Sequence, residues 1–391
     1  MPIDADVKRK KMKLRGLFLL AILTISAGLP YIYGYYTLQH TNSKDGFFFG
    51  VTYGEDTVEG AKLLIDKVKD YTNLFVIDSY SISNSTNGRD LSEICDYAAA
   101  ANLHFIVYFF SFYGSAWMQN WATTAEQKWG EKFIGVYLRD EPGGRQIDLS
   151  ETVKNASNYS EAANTYVQNV SASFSIQFLN GNGILVFTSD YTLYWYDYLG
   201  GFGSLFAEMG WDHSRTQQIA LCRGAADTLG KAWGAIVTWT YREPPYLASG
   251  PKILQDMLAA YSAGAKYVVV FNYSNSTENS ETNPYGTLTQ EHFAAMERFW
   301  NTVQAYPREI YGKVDGQVAF VLPKDYWWGM RNAEDNIWGL WPADEKAPLI
   351  WEDMNKLITK CGLRLDIVYD DPRFNFAEKH SQVYFWNETI D

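Results

Sequence analysis

Eight apolar runs of strand length recur along this chain, and each is followed by a segment with helical periodicity. The runs begin near residues 47, 74, 104, 133, 184, 205, 234 and 267, mostly about 30 residues apart. Unbroken apolar runs are typical of strands that are covered on both faces, as in parallel sheets. Eight such strand–helix units within about 250 residues are what a (β/α)8 barrel requires. The sequence therefore predicts a TIM barrel over residues 45–308. A doubly wound open sheet is the main alternative, but no Gly-rich phosphate-binding turn follows the first run.

A second, smaller unit is predicted over residues 312–391. It begins with an apolar strand, Val318–Leu322, continues through a Trp-rich loop over 326–341 and a helix over 347–359, and ends with strands near 365–369 and 382–386. This is a small α/β layer of flavodoxin-like type with too few strands to close its own sheet comfortably. We expect it either to be truncated or to pack against the barrel.

The N-terminal segment predicts a membrane anchor. Residues 1–15 hold six basic and two acidic side chains, and residues 16–38 are apolar, free of charge and rich in Tyr at their end. That length spans a bilayer, and the basic block predicts a cytoplasmic tail over 1–15 with a transmembrane signal anchor over 16–38. We therefore expect a single-pass protein of the cell membrane whose barrel is extracellular. A cleaved signal peptide is the alternative.

Composition narrows the classes of partner. A net charge of −12 makes nucleic acid a poor partner, because phosphate binding needs a basic face. Three distant cysteines, Cys95, Cys222 and Cys361, predict buried thiols and no disulfide framework. Sequons for N-glycosylation mildly favour export. They begin at Asn84, Asn155, Asn158, Asn169, Asn272, Asn275 and Asn387.

The residues that follow the predicted strands indicate the chemistry. Five scattered histidines show no metal-ligand spacing, and the chain has neither a Gly-x-Ser-x-Gly elbow nor a P-loop, so no metal or cofactor is predicted. Carboxylates and aromatic side chains remain at the strand ends. Aromatic rings pack in barrel rims, but they also supply stacking faces for sugars. The candidate substrate-binding residues are Tyr53, Asp78, Tyr108, Tyr137, Arg139, Asp190, Trp239, Tyr241, Asn272 and Tyr273.

Two carboxyl groups with different pKa values can cleave a glycosidic bond. Glu141 follows the fourth strand, before Pro142 and two glycines, and is the predicted acid. Asp140 is a further catalytic candidate, although its neighbour Arg139 favours an ion pair. For the second carboxylate we rank Glu208, at the end of an apolar run, ahead of Glu243 in a Pro-rich loop.

Two stretches resemble a known family. Gly135–Pro142 resembles strand four of barrel glycoside hydrolases of the large retaining clan, where an acidic residue at that strand end is the acid/base. Residues 318–323 and 338–341 resemble the start of the amidotransferase-like domain of family 42 β-galactosidases. The resemblance implies a catalytic role for Glu141. The chain departs from the clan in having Asp140 where the clan has Asn, and Trp239 and Thr240 where the nucleophile ends strand seven.

Together these patterns predict a membrane-anchored glycoside hydrolase that acts on oligosaccharides or glycans with two carboxylates. The alternative from another class is a carbohydrate-binding or cell-surface scaffold that keeps the barrel without catalysis. A lyase or aldolase would require a buried Lys or a metal at a strand end. The feature that separates the first two is whether Glu208 or Glu243 faces Glu141.

Overall fold

The structure is a computed structural model that describes residues 46–83, 88–110, 115–273, 283–388 and 390. The predicted cytoplasmic tail, 1–15, and the predicted anchor, 16–38, lie outside these residues. Within them, no helix combines the length and the apolar character needed to cross a bilayer.

Eight parallel strands close into a barrel in which each strand pairs with its neighbours in chain order and β8 pairs with β1. This confirms the predicted (β/α)8 barrel. The strands are Phe48–Tyr53 (β1), Leu74–Ile77 (β2), His104–Tyr108 (β3), Phe133–Asp140 (β4), Leu185–Asp190 (β5), Ser204–Glu208 (β6), Ala232–Val237 (β7) and Tyr267–Val270 (β8).

Helices surround the barrel. The first helix illustrates how the local sequence forms these helices. The Thr57 side chain caps it by accepting a hydrogen bond from the Gly60 amide, and its buried residues recur at helical spacing. The α-helices are Val58–Val68 (α1), Tyr80–Ser83 (α2), Arg89–Ala100 (α3), Ala116–Trp129 (α4), Pro142–Leu149 (α5), Tyr159–Ser171 (α6), Phe174–Gly181 (α7), Tyr194–Leu199 (α8), Arg215–Leu229 (α9), Gly250–Ser262 (α10), Gln290–Ala305 (α11), Arg308–Tyr311 (α12) and Lys346–Cys361 (α13).

Two local expectations differ from the structure. The sequence predicts a polar loop from residue 146, but α5 begins directly after Glu141 because Pro142 occupies its first turn, a favoured position for proline. The sequence pattern predicts a single helix over 159–178. The structure has two helices there, separated by a break at Ala172 and Ser173.

Side chains alternate across each barrel strand, as the two-residue period of a strand dictates. One set fills the barrel interior and includes Val76, Tyr108, Tyr137, Phe206 and Val269. The other set packs outward against the helices in a larger core that also includes the C-terminal residues. The parity of a residue in its strand therefore decides whether it can reach a site inside the barrel mouth.

The C-terminal unit contains a small sheet of three parallel strands in the order β10-β9-β11, formed by Val318–Leu322 (β9), Leu365–Tyr369 (β10) and Gln382–Phe385 (β11). It packs against the barrel helix α9. A Cβ on Gly224 would lie 2.6 Å from the carbonyl oxygen of Ile367, so this helix and β10 approach as closely as glycine permits. The expected packing on the barrel is present, whereas the amidotransferase-like or flavodoxin-like character stays a prediction.

Candidate active site

A cavity of about 330 Å³ opens at the carboxyl-terminal end of the barrel strands, where TIM barrels place their chemistry. Four acidic side chains line it together with a wall of aromatic rings. Its lining residues are Thr52, Val76, Asp78, Tyr108, Phe110, Tyr137, Asp140, Glu141, Ser189, Phe206, Glu208, Trp211, Ile236, Thr238, Trp239, Val269, Phe271 and Tyr273.

Glu141 and Glu208 meet in this pocket. Their carboxyl groups lie close enough for each to shift the pKa of the other. Burial, followed by the charge of Asp140, raises the pKa of Glu141 to about 7. Burial, followed by the charges of Glu141 and Asp140, raises the pKa of Glu208 well above its usual range. Because Glu208 is only 4% exposed, it is the partner that more strongly favours the protonated form.

A hydroxyl pair connects this dyad to Asp140. The Tyr137 hydroxyl lies 2.7 Å from Ser189 Oγ and 2.9 Å from Asp140 Oδ1. Ser189 Oγ donates to Glu208 Oε1 at 2.7 Å. Burial raises the pKa of Asp140, and the hydrogen bonds from Tyr137 and Ser189 partly oppose that rise. Tyr137, Ser189, Asp140 and Glu208, together with Glu141, therefore form one connected acidic network.

Asp78 contributes a fourth carboxyl group from the end of β2. Its Oδ1 atom is buried and has no hydrogen-bond partner within the described part of the chain. Burial, followed by the charge of Asp140, raises the pKa of Asp78 well above its usual range. A carboxyl group held in this way is costly to the fold, which favours a role in binding.

Backbone geometry places Glu141 at the pocket. Its φ of 47° is in the left-handed region, and its amide donates to the Ser189 carbonyl at 3.1 Å. The side chain of Asp190 then accepts hydrogen bonds from the amides of Gly143, at 2.5 Å, and Gly144, at 3.1 Å. A Cβ on Gly143 would lie 2.7 Å from Asp190 Oδ2, so the contact requires glycine there. Asp190 therefore caps α5 and fixes the segment that carries Glu141.

A second acid pair lies behind this cap. Asp197, fully buried, accepts a hydrogen bond from the Tyr166 hydroxyl at 2.7 Å and lies close enough to Asp190 for each carboxyl group to shift the pKa of the other. Burial, followed by the charge of Asp190, raises the pKa of Asp197 well above its usual range. Burial also raises the pKa of Asp190, to about 6, against its amide hydrogen bonds. This pair lines no part of the pocket.

The C-terminal unit holds the far end of α5. Gln146 Nε2 donates to the Trp338 carbonyl at 2.8 Å, and Ser150 Oγ donates to the Gly339 carbonyl at 2.9 Å. Arg331 forms an ion pair with Asp148 at 2.8 Å. The unit therefore supports the helix that begins beside Glu141.

Of the predicted substrate-binding residues, Asp78, Tyr108, Tyr137, Trp239 and Tyr273 line the pocket. Tyr53, Asp190 and Asn272 do not line it, because their positions in or just beyond their strands direct their side chains away from the barrel interior. The Tyr53 hydroxyl donates to the Thr57 carbonyl at 2.6 Å at the start of α1. Asn272, 1% exposed, accepts hydrogen bonds from Thr287, so the fold leaves no room for a glycan on it. Asp190 is the helix cap already described.

A bulge in β4 determines where the side chains of Arg139 and Asp140 lie. The register shifts between Tyr137 and Asp140, and Arg139 has a φ of 54°. The extra residue brings Asp140 to the wall of the pocket, and Arg139 and Asp140 are both exposed to solvent. The expected ion pair between them is not among the ion pairs of the described residues, and Asp140 instead bonds to Tyr137 and Ser189.

Glu243 and Tyr241 lie outside the pocket. Both are exposed, in the loop beyond β7. Tyr241 lines a separate surface depression beside Trp211, His213 and Lys252. The structure therefore brings Glu208, and not Glu243, to Glu141.

Sequence reasoning missed several lining residues, chiefly Ser189, Trp211, Thr238 and Phe271. Ser189 and Phe271 have the same parity as the interior residues Phe187 and Val269, so strict alternation along each strand would have found them. Trp211 lies beyond the end of its strand and itself has a φ of 45°, which no periodicity reveals. Among the described residues, no group of three or more His, Cys, Asp and Glu is arranged to hold a metal ion.

No protein-family model matches the chain, and no curated protein matches it. Solved structures that resemble it include the catalytic module of a family 98 glycoside hydrolase from Streptococcus pneumoniae TIGR4. That match has a TM-score of 0.45 and 13% identity and covers 84% of this chain and 66% of that one. A psychrophilic family 10 endo-β-1,4-xylanase has a TM-score of 0.43 and 12% identity, covering 65% and 97%. A 3-hexulose-6-phosphate synthase has a TM-score of 0.34 and 12% identity, covering 64% and 99%.

These similarities are too distant to assign an activity, although glycoside hydrolases are among the structures that share the barrel. The resemblance to family 42 stays a prediction. The functional argument therefore rests on the pocket itself.

Proposed function

We propose that this protein is a glycoside hydrolase that cleaves O-glycosidic bonds of oligosaccharides or glycans with Glu141 and Glu208. One observation carries this proposal: two carboxyl groups with raised pKa values line one aromatic-lined pocket at the carboxyl-terminal end of the barrel. Close contact and unequal burial drive the two pKa values apart, as the two-carboxylate reaction requires.

The deeper burial of Glu208 supports a specific division of roles. Protonated Glu208 donates its proton to the glycosidic oxygen, and the electron pair of the breaking C–O bond goes to that oxygen. Ionised Glu141 attacks the anomeric carbon, or takes a proton from the water that attacks it. The sequence alone favoured Glu141 as the acid, and burial favours the reverse assignment.

The closeness of the pair also bears on stereochemistry. Retaining enzymes hold their carboxyl groups about 5–5.5 Å apart, and inverting enzymes about 6.5–9.5 Å apart. Because Glu141 and Glu208 line one pocket closely enough for each to shift the pKa of the other, they favour the shorter, retaining separation. Retention is therefore the expected outcome.

Three isosteric variants test the proposal on a panel of aryl glycosides and oligosaccharides. Glu141→Gln and Glu208→Gln should each lower kcat by roughly 10²–10⁴-fold, the usual contribution of such a group. Glu243→Gln, a change at an exposed site outside the pocket, is the matched control and should keep activity. Full activity in the Glu141→Gln and Glu208→Gln double variant would sink the assignment. Glycan binding by the wild-type protein without any cleavage would favour the non-catalytic scaffold.

We also propose that the barrel is held at the outer face of the cell membrane by residues 16–38. The basic residues before this segment support the orientation. The exposure of four sequon asparagines, Asn155, Asn158, Asn169 and Asn387, is compatible with it. Protease added to intact cells should digest the barrel, and protection of the barrel until the cells are opened would contradict the proposed orientation.

A further inference from the structure

The catalytic pocket has no basic side chain to balance its acids. Among the described lining residues, four are Asp or Glu and none is Lys, Arg or His. The intervals 84–87, 111–114 and 274–282, which follow β2, β3 and β8 in the sequence, contain no Lys, Arg or His either. Arg145 acts on Asp140 only at a distance, because it lines no part of the pocket and is paired with Glu151 at 2.6 Å.

Two of the acids have distinct surroundings. Glu141 and Glu208 take part in the proposed reaction, whereas Asp78 and Asp140 follow or end β2 and β4. Among the described residues, Asp78 Oδ1 is buried without a hydrogen-bond partner, and the Asp140 side chain accepts from the neutral hydroxyls of Tyr137 and Ser189. Both carboxyl groups line the same cavity, and the charge of Asp140 acts on Asp78.

A ligand with positive charge would satisfy these two carboxyl groups. An ammonium group supplies three donors and the counter-ion that the protein lacks, and a partly desolvated ion pair of this kind is stronger than one at the surface. A uronic, sialic or sulfated sugar would instead add another negative charge to an acidic cavity. The rings of Tyr108, Trp239 and Tyr273 line the same cavity and can face both the C–H side of a sugar and a cation.

We propose that the sugar bound in this pocket carries a protonated amino group, which Asp78 and Asp140 recognise. The substrate class is then a glycan that contains hexosamine with a free amine. This inference rests on the proposed function in one respect, that the pocket takes a sugar.

Matched oligosaccharides test the inference directly. Two series, of gluco and galacto configuration, would present a free amine, an N-acetyl group or a hydroxyl at the same carbon, and binding to the wild-type protein would be measured by calorimetry at low salt. The amine member should bind roughly tenfold more tightly than its hydroxyl counterpart, as expected for a hydrogen bond to a charged group. Its binding should also release protons, seen as a dependence of the heat on buffer ionisation, because the cation favours ionised carboxylates.

Asp78→Asn keeps the shape of the side chain and removes the charge, so it should abolish the amine preference. Glu243→Gln should keep it. Equal or tighter binding of the hydroxyl or N-acetyl member by the wild-type protein overturns the inference, as does an amine preference that survives in Asp78→Asn. The wild-type comparison decides the matter even if the variant does not fold. Cleavage of neutral glycans without amine preference would leave the proposed hydrolase standing while this inference falls.

Discussion

The acidic pocket and the interface between barrel and C-terminal unit both contain buried charged groups, but they differ in how many hydrogen-bond partners those groups have. At the interface, Arg223 is fully buried and its Nε lies 2.7 Å from Asp366 Oδ1, while its other nitrogens donate to main-chain carbonyls. His380 Nε2 lies 2.9 Å from the second Asp366 oxygen. In the pocket, Asp78 Oδ1 has no hydrogen-bond partner among the residues that the structure describes.

This difference distinguishes buried charges that stabilise the fold from buried charges that are available for function. A buried charge whose hydrogen bonds are all satisfied holds two parts of a fold together, and it is costly to break. Buried carboxyl groups that lack such partners are kept at the expense of stability, and those that line a pocket are candidates for use by a ligand or a reaction. Four measurements would break or sharpen this comparison.

The largest effect is expected at the interface. Arg223→Met leaves Asp366 buried without its cation, so the free energy of unfolding in guanidinium chloride should fall by about 3–5 kcal/mol. The double variant Arg223→Met and Asp366→Leu should recover much of that loss, because it removes both charges. A loss below about 1 kcal/mol in the single variant would show that the interface is no better partnered than a surface pair.

The pH dependence of kcat/KM tests the pocket. Glu141 must be ionised in the proposed role, and its pKa is raised to about 7, so the rate should fall about tenfold per pH unit as the pH drops below 7. The fall at high pH should follow the loss of the Glu208 proton. Glu243→Gln should give the same profile. A rate that instead rises as the pH drops through 7 would make Glu141 the acid.

The pair Asp190 and Asp197, which lies outside the pocket, should make the free energy of unfolding fall as the pH rises. The pKa of Asp197 is raised in the folded state, so the folded chain binds more protons than the unfolded chain above about pH 4, and stability falls as pH rises through that window. Asp197→Asn should reduce this slope by up to about 1.4 kcal/mol per pH unit, the limit for one proton. Denaturant titrations at pH 5, 6, 7 and 8 measure it, and an unchanged slope would contradict the raised pKa of Asp197.

The smallest effect is expected for an exposed pair on the same C-terminal unit. Lys356 lies 2.8 Å from Glu352 one turn away on α13, and both side chains are solvent-accessible. Water and salt screen such a pair, so Lys356→Met should leave the unfolding midpoint unchanged within error. This variant is the matched control for Arg223→Met, and a comparable loss of stability in both would erase the distinction between them.

Much of the fold was predictable because its signals are local. The eight apolar runs predicted the barrel, and the buried position of Glu208 in its run pointed to a used carboxylate. Tyr53, Asp190 and Asn272 were misplaced as pocket residues for one reason: each has the outward parity in or just beyond its strand. Counting from the interior residues of each strand would have separated Ser189 from Asp190.

The rest depended on geometry that no spacing encodes. The bulge in β4 reverses the parity of Asp140, and the loop beyond β7 carries Glu243 away from the pocket. Both results depend on how neighbouring strands pair and how a loop closes, so they appear only when the barrel is assembled.

By itself, the sequence determined the barrel, the acidic character of its mouth and the place of Glu141 at the end of β4, because strand and helix periodicity and turn chemistry are properties of short segments. Only the tertiary structure decided that Glu208 is the partner of Glu141, that Asp78 is left without a hydrogen bond at Oδ1, and that Asp190 pairs with Asp197. Those relations join residues from different strands. Their distances and burial, which set the pKa values, exist only in the closed barrel.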